Sequence, residues 1–308
     1  MLKRDTSQKP RGKSSFALTV DVEDYFQVWA FSSVIPVSSW GEYSLRVERS
    51  TDRILEMLDE ADVRATFFVL GWVADRAPQL VRRIAAEAHE IASHGYGHQK
   101  ISDQTQDEFF TDVTRSKNTL EDITGQSVLG YRAPSFSIKP TDLWVYRALT
   151  EAGYRYSSSR HPIAHDHYGD PTGPQTPFRP RRDSALIEAP IATASFGKRR
   201  LSAGGGGWFR AAPYPVSRAL LRRASAANGG PSVFYFHPWE VDPDQPRVRK
   251  APLKSQLRHY LNLSKNPQKL GKLFGDFPWG RLDDALGLQG NTQKSADFKS
   301  DPIAQCAL

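Results

Sequence analysis

The chain has 308 residues, of which 39% are hydrophobic, enough to build one large domain or two small ones around a packed core and to exclude a disordered chain. Its formal net charge is +7, but the basic residues are scattered and no nucleic-acid-binding signature accompanies them, so nucleic acid is not an expected partner. The single cysteine, Cys306, excludes a disulfide framework. Met1 to Ser15 is basic and polar without an apolar core, which does not read as a secretory signal, and no apolar run is long enough to span a bilayer. The cytoplasm is the expected compartment, with peripheral attachment to the inner face of a membrane as an option for the basic surface. Oligomeric state is not legible.

In chain order, Phe16-Ala17-Leu18-Thr19-Val20 reads as a buried strand that ends at Asp21, followed by a helix capped at Ser50 or Thr51. Ala65 to Leu70 is a second strand, and Leu80 to Ala88 a helix. Glu90 to Ser93 is a third strand, entering the loop His94-Gly95-Tyr96-Gly97-His98. Asp107 to Thr124 is a helix stopped by Gly125, and Val128 to Tyr131 is a fourth strand running into Arg132-Ala133-Pro134. Pro140 opens a helix through Leu149. Tyr154 starts a fifth strand, Ser159 to Asp183 is a long loop, and Ala185 to Pro190 is a sixth strand. The run Gly204 to Gly207 lacks the following Lys-Ser/Thr of a phosphate loop. Pro213 to Ala227 reads as a helix, and Ser232 to Phe236 as a seventh strand ending at His237. Leu253 to Phe274 is helical and basic, and the tail after Leu288 is polar.

The alternation of strand and helix, with continuously apolar strands, predicts an α/β fold on a parallel sheet, either open or closed as a barrel. Asp21, Asp24, His94, His98, Arg132 and His237 all fall just past the C-terminal ends of strands, the edge where such folds build sites. Two imidazoles and a carboxylate make a three-ligand divalent-metal set with open positions, suited to Zn²⁺ and also to Co²⁺, Ni²⁺ or Fe²⁺. A second carboxylate would act as base, Arg132 would orient it, and His237 would protonate a leaving group, a set for amide or ester hydrolysis.

These residues resemble the motifs of the polysaccharide deacetylases, the NodB-homology group of carbohydrate esterase family 4. More closely they resemble the branch associated with exosortase/PEP-CTERM exopolysaccharide gene clusters. Thr19-Val20-Asp21-Val22-Glu23-Asp24 resembles the first motif, His94 to His98 the second with Gly95 where Ser or Thr is usual, Arg132-Ala133-Pro134 the third, and Phe234 to Glu240 the fifth. The resemblance implies a distorted (β/α)7-type barrel with a C-terminal helical extension. Its boundaries are 1–15 a disordered segment, 16–250 the barrel, 251–286 the extension and 287–308 a disordered tail. It further implies a metal-dependent enzyme that removes N-acetyl groups from a polysaccharide or a lipid-linked oligosaccharide. By position Asp21 is the base, Arg132 its holder, His237 the acid, and His94 and His98 the metal pair. The third ligand is Asp24 or Glu23, with Asp24 preferred, and a frame with Glu23 as base and Asp24 as ligand stays open. The fourth motif, an acid and a Trp that tune the catalytic histidine, has no match near Ser157-Ser158. Competing readings are a hydrolase of a small cyclic amide and a glycan-binding pseudoenzyme.

Overall fold

The computed structural model describes residues 15–165, 169–227 and 229–288. The expected disordered segments, 1–15 but for Ser15 and 287–308 but for Gly287 and Leu288, lie outside the described residues, as does Cys306.

Among the described residues, ten strands and ten α-helices follow in chain order: β1 Phe16–Val22, α1 Val47–Glu60, β2 Thr66–Val69, α2 Gly71–Arg76, α3 Pro78–Ala86, β3 Glu90–Ser93, α4 Gln106–Thr124, β4 Gly130–Tyr131, α5 Leu143–Glu151 and β5 Tyr156–Ser157. Then come β6 Ile187–Glu188, β7 Thr193–Phe196, β8 Arg199–Ser202, α6 Gly206–Ala211, α7 Tyr214–Ala227, β9 Ser232–Phe236, α8 Leu253–Tyr260, α9 Asn266–Asp276, β10 Trp279–Gly280 and α10 Leu282–Leu286.

The main sheet runs β10-β1-β2-β3-β4-β5-β6, with β9 on the other side of β1, and every pairing in it is parallel. An isolated bridge from Ile191 to Val233 brings the chain after β6 against β9, which curls the sheet into a distorted barrel. The parallel α/β sheet expected from the alternation is therefore present, in the barrel form that the resemblance implied. Period two sorts the strand residues: Leu18, Val20, Phe67, Val69 and Ile91 pack outward under the helices, while Ala17, Phe68, Ala92, Ala189, Val233 and Tyr235 fill the interior. Asp21 and His237 continue the inner rows of Ala17 and Tyr235 at the C-terminal rim.

Several expectations shift. Helix α1 begins at Val47, a turn before Ser50, because the Asp24 carboxylate receives the N–H groups of Arg46 and Val47. The basic segment from Leu253 is two helices rather than one, broken where Asn262 adopts a left-handed conformation and Pro267 starts the next helix. The hairpin β7–β8 escaped the sequence reading: its eight residues are short, half-exposed and turn through Gly197. The glycine run also gains a reason. Gly205, at φ +112°, lies so close to β9 that a Cβ would meet the Tyr235 carbonyl oxygen at 1.9 Å. Finally, segment 251–286 is built into the barrel: β10 pairs with the start of β1, and Leu282, Ala285 and Leu286 close its N-terminal end.

Candidate metal centre and the polar cluster around it

Strand β3 ends at Ser93, and the next five residues turn back so that both histidines face the barrel mouth. Gly95 sits at φ +74° and His98 itself at φ +53°, a conformation that a non-glycine residue holds only when its surroundings fix it. Asp112 on α4 supplies that fixing, accepting the N–H groups of Tyr96 at 2.8 Å and Gly97 at 3.1 Å. Ser93 Oγ accepts the Gly95 N–H, and Ser116 Oγ donates to the Gly95 carbonyl. The missing hydroxyl at position 95 is thus replaced by Asp112, a brace that sequence reasoning missed.

His94 Nδ1 lies 2.8 Å from the Arg132 carbonyl, so it carries the proton there and Nε2 keeps its lone pair for a cation. Burial pushes the His94 imidazole down to about 4, which favours the neutral ligand form. His98 Nε2 is 2.8 Å from Glu23 Oε2. Burial alone would raise the Glu23 carboxyl, but the imidazoles of His98, His237 and His94 hold it well below the usual carboxylate range. Glu23, His94 and His98 bring ligand atoms within 4.8 Å of one another, and among the described residues they are the one such group.

Asp24 does not join them, which corrects the preference for it as third ligand. One of its oxygens accepts the Tyr25 N–H at 2.8 Å and the other the N–H groups of Arg46 and Val47, at 2.6 and 2.8 Å. The carboxylate is committed to a turn and to the start of α1. Glu23, just past the end of β1, is the carboxylate that lies against the two histidines.

Arg132 is completely buried and fully engaged. Its guanidinium pairs with Asp21 at 2.5 Å, donates to Thr19 Oγ1 at 2.8 Å, and holds Ser158 through both the carbonyl and Oγ at 2.9 Å. Ser158, where the sequence offered no acid for the histidine, therefore serves the arginine, while Ser157 Oγ bonds to Ser159 Oγ. The acid lies elsewhere. Pro238 opens a tight turn after His237 that brings Glu240 back, with Oε1 2.7 Å from His237 Nδ1. Arg210 of α6 pairs with the other Glu240 oxygen at 2.6 Å. Burial disfavours charge on His237, yet the Glu240 hydrogen bond and the carboxylates of Glu23, Glu240 and Asp21 raise its pKa above the ordinary imidazole value. His237 Nε2 stands 3.6 Å from Glu23 and 3.9 Å from Asp21. Trp239 stacks on the His237 ring at 5.0 Å and donates its indole N–H to Glu23. An acid and a Trp for the histidine were thus present in His237-Pro238-Trp239-Glu240, readable from a proline turn that returns position i+3.

A cavity of about 390 Å³ opens over these groups, walled by Trp29, Phe136, Trp208, Tyr235, Trp239 and Leu261. Its rim is open: Trp208 is 50% exposed and Leu261 41%.

A paired acid and arginine, a His/His/Glu cluster and an acid-braced histidine thus meet at one barrel rim. Residues 9–157 match the family described as polysaccharide deacetylase, and residues 158–287 a domain of unknown function, DUF3473. Over residues 9–157 the chain is similar to the polysaccharide deacetylase family. A peptidoglycan-N-acetylglucosamine deacetylase of Bacillus cereus is 34% identical over 84 residues, covering 27% of this chain and 30% of that protein. A chitooligosaccharide deacetylase of Sinorhizobium fredii is 46% identical over 52 residues, covering 17% of this chain and 24% of its own. The chain spans less than half the length of either relative. A solved Mycobacterium smegmatis structure, assigned provisionally to the polysaccharide deacetylases, superposes with a TM-score of 0.54 at 20% identity over 89% of this chain and 88% of its own, which supports the shared fold. Arg210, Trp239 and Glu240 all lie in the DUF3473 half, whereas Asp21, Glu23, His94, His98 and Arg132 lie in the deacetylase half. The polar cluster is therefore assembled from both.

Proposed function

We propose that this protein is a metal-dependent deacetylase that removes N-acetyl groups from sugar residues of a polysaccharide or of its lipid-linked precursor. The observation that carries the reading is the convergence of Glu23, His94 and His98 on one point with Asp21 and His237 within 4 Å of Glu23 or of each other. The ligand set fits a divalent cation: Nε2 of His94 is left free by its Nδ1 bond, and Glu23 is charged and buried. One oxygen and two nitrogens suit Zn²⁺ best, with Co²⁺, Ni²⁺ or Fe²⁺ as alternatives. Such a cation supplies Lewis acidity toward water and the acetyl carbonyl.

The chain's own residues then divide the proton work. Asp21, oriented by its pairing with Arg132, takes a proton from the attacking water. His237, held protonated by Glu240, gives a proton to the amine nitrogen as the C–N bond breaks. Arg210 keeps Glu240 charged: burial alone would raise that carboxyl, but Arg210 and His237 lower it. The aromatic walls and the open rim suit a sugar chain entering from solvent, rather than a small cyclic amide enclosed on all sides. The two departures that favoured a pseudoenzyme, at Gly95 and at the fourth motif, are compensated by Asp112 and by Trp239 with Glu240. The assignment to exopolysaccharide biosynthesis, and to the exosortase-associated branch, rests on the motif resemblance alone.

The test is acetate release from N-acetylglucosamine oligomers by protein loaded with Zn²⁺ or Co²⁺, beside His94→Ala and Asp21→Asn. Turnover by wild type and loss in both variants would uphold the reading. A loaded wild type that binds the oligomers and releases no acetate would replace it with glycan binding.

A further inference from the structure

Helix α8 presents an apolar stripe to solvent. Leu253 is 78% exposed, Leu257 70% and Leu261 41%. Leu253 and Leu257 lie one turn apart on one face of the helix, and Leu261, the residue that caps it, follows at the same interval. Leu261 and the half-exposed Trp208 of α6 belong to the rim of the cavity, so the stripe begins at the mouth of the candidate site and runs outward from it. Helices α6 and α8 are tied together there, with Arg210 donating to the Arg258 carbonyl and Asn262 to the Arg210 carbonyl.

The charge around the stripe has one sign. From Asp244 to Asp276 the sequence contains no intervening Asp or Glu, while Arg247, Arg249, Lys250, Lys254, Arg258 and Lys265 are all exposed. Lys254 and Arg258 follow Leu253 and Leu257 by one position each, which sets a basic column beside the apolar one. A water-facing helix does not need three exposed leucines. An apolar column flanked by Lys and Arg, with a Trp at the same level, matches the chemistry of an interface between anionic headgroups and acyl chains.

We propose that α8 and the Trp208 edge of α6 form a docking surface for an anionic phospholipid bilayer, which sets the cavity mouth against the membrane. The leucines and Trp208 enter the headgroup boundary, and the basic column meets the phosphates. The docking stands on the surface itself. That it delivers a lipid-linked glycan to the site, rather than a free polymer, rests on the deacetylase reading.

The experiment is co-sedimentation of the full chain with vesicles of 30% phosphatidylglycerol in phosphatidylcholine, and with pure phosphatidylcholine, for wild type, Leu253→Gln/Leu257→Gln and Lys250→Gln/Lys254→Gln. All four side chains are exposed and outside the cavity, and circular dichroism checks that each variant is folded. The expected result is binding of wild type to anionic vesicles, at least tenfold weaker binding to neutral ones, and at least a tenfold loss in each double variant. Wild type left in the supernatant with both vesicles overturns the proposal. So does undiminished binding by the leucine variant, which would reduce the surface to a diffuse charge effect. Sedimentation velocity adds one more arm: a wild-type dimer that the leucine variant dissolves, with no vesicle binding, would give the stripe to a second copy of the chain instead. Vesicle binding needs neither metal nor turnover, so its failure and failure of acetate release are independent results.

Discussion

Glu240 and His237 are three residues apart on a tight turn, and the glutamate oxygen meets the imidazole Nδ1 at 2.7 Å. Both belong to the half of the chain outside the deacetylase family match. Arg210, from α6, completes the chain of contacts on the far side of Glu240 at 2.6 Å. The arrangement holds His237 with Nε2 toward Asp21 and Glu23, and favours its charged form.

Glu240→Gln keeps the shape but removes the charge. With N-acetylglucosamine oligomers as substrate, kcat should fall about 10²-fold. The pH profile should move as well. His237 acts as an acid, so activity is lost as pH rises through its raised pKa. Without Glu240 that pKa drops, and the alkaline limb should shift to lower pH. A variant whose kcat falls with an unmoved alkaline limb would make Glu240 a packing residue only. Glu240→Asp should recover part of the rate.

The parallel sheet was legible because its longest strands, β1, β2 and β9, lie in apolar runs, and because Asp21 and His237 stand at the ends of two of them. Other features depend on pairings far apart in sequence. Asp24 looked like a ligand because it adjoins Glu23; its commitment to the N–H groups of Arg46 and Val47 joins positions 22 and 23 residues apart. Asp112 was hidden in a helix whose apolar spacing drew attention to its other face. The closing strand β10 is only two residues long and carries no pattern of its own.

Glu23 and Asp24 are adjacent and answer differently to the same change. Glu23→Gln should abolish tight metal binding, as should His94→Ala and His98→Ala, with about one metal per chain held by wild type. Asp24→Ala should leave metal content unchanged and lower stability by about 2–3 kcal/mol, because two buried N–H groups and one partly buried one lose their acceptor. Metal analysis beside urea unfolding separates the two effects. Loss of metal in Asp24→Ala under conditions where it is fully folded would return Asp24 to the ligand set.

Gly95 cannot carry a side chain without moving the brace of the histidine loop. At φ +74° a Cβ would sit 2.9 Å from Asp112 Oδ2. Gly95→Ser, although it restores the residue type usual in the family motif, should push Asp112 off Tyr96 and Gly97. The expected cost is about 1–2 kcal/mol of stability and at least tenfold weaker metal binding, read by chelator competition. Unchanged metal affinity would mean that the loop is set by Ser93 and Ser116 without Asp112.

His89 offers a pH dependence away from the site. It is buried, and its Nδ1 accepts the Ala65 N–H at 3.1 Å, which requires the neutral ring. Burial, with Arg64 and Arg281 nearby, pushes its pKa down to about 3. The unfolded chain binds this proton near pH 6.5 and the folded chain does not. Stability is therefore unaffected above pH 6.5 and declines as pH falls below it, by about 1.4 kcal/mol per unit for this one group until the folded value is reached. His89→Asn keeps an acceptor for Ala65 and removes the titration. Urea unfolding of both proteins between pH 7 and pH 5 should show the wild type losing about 2 kcal/mol more than the variant across that interval. Equal slopes would mean that the folded protein protonates His89 as readily as the unfolded one, and that the Ala65 contact opens to allow it.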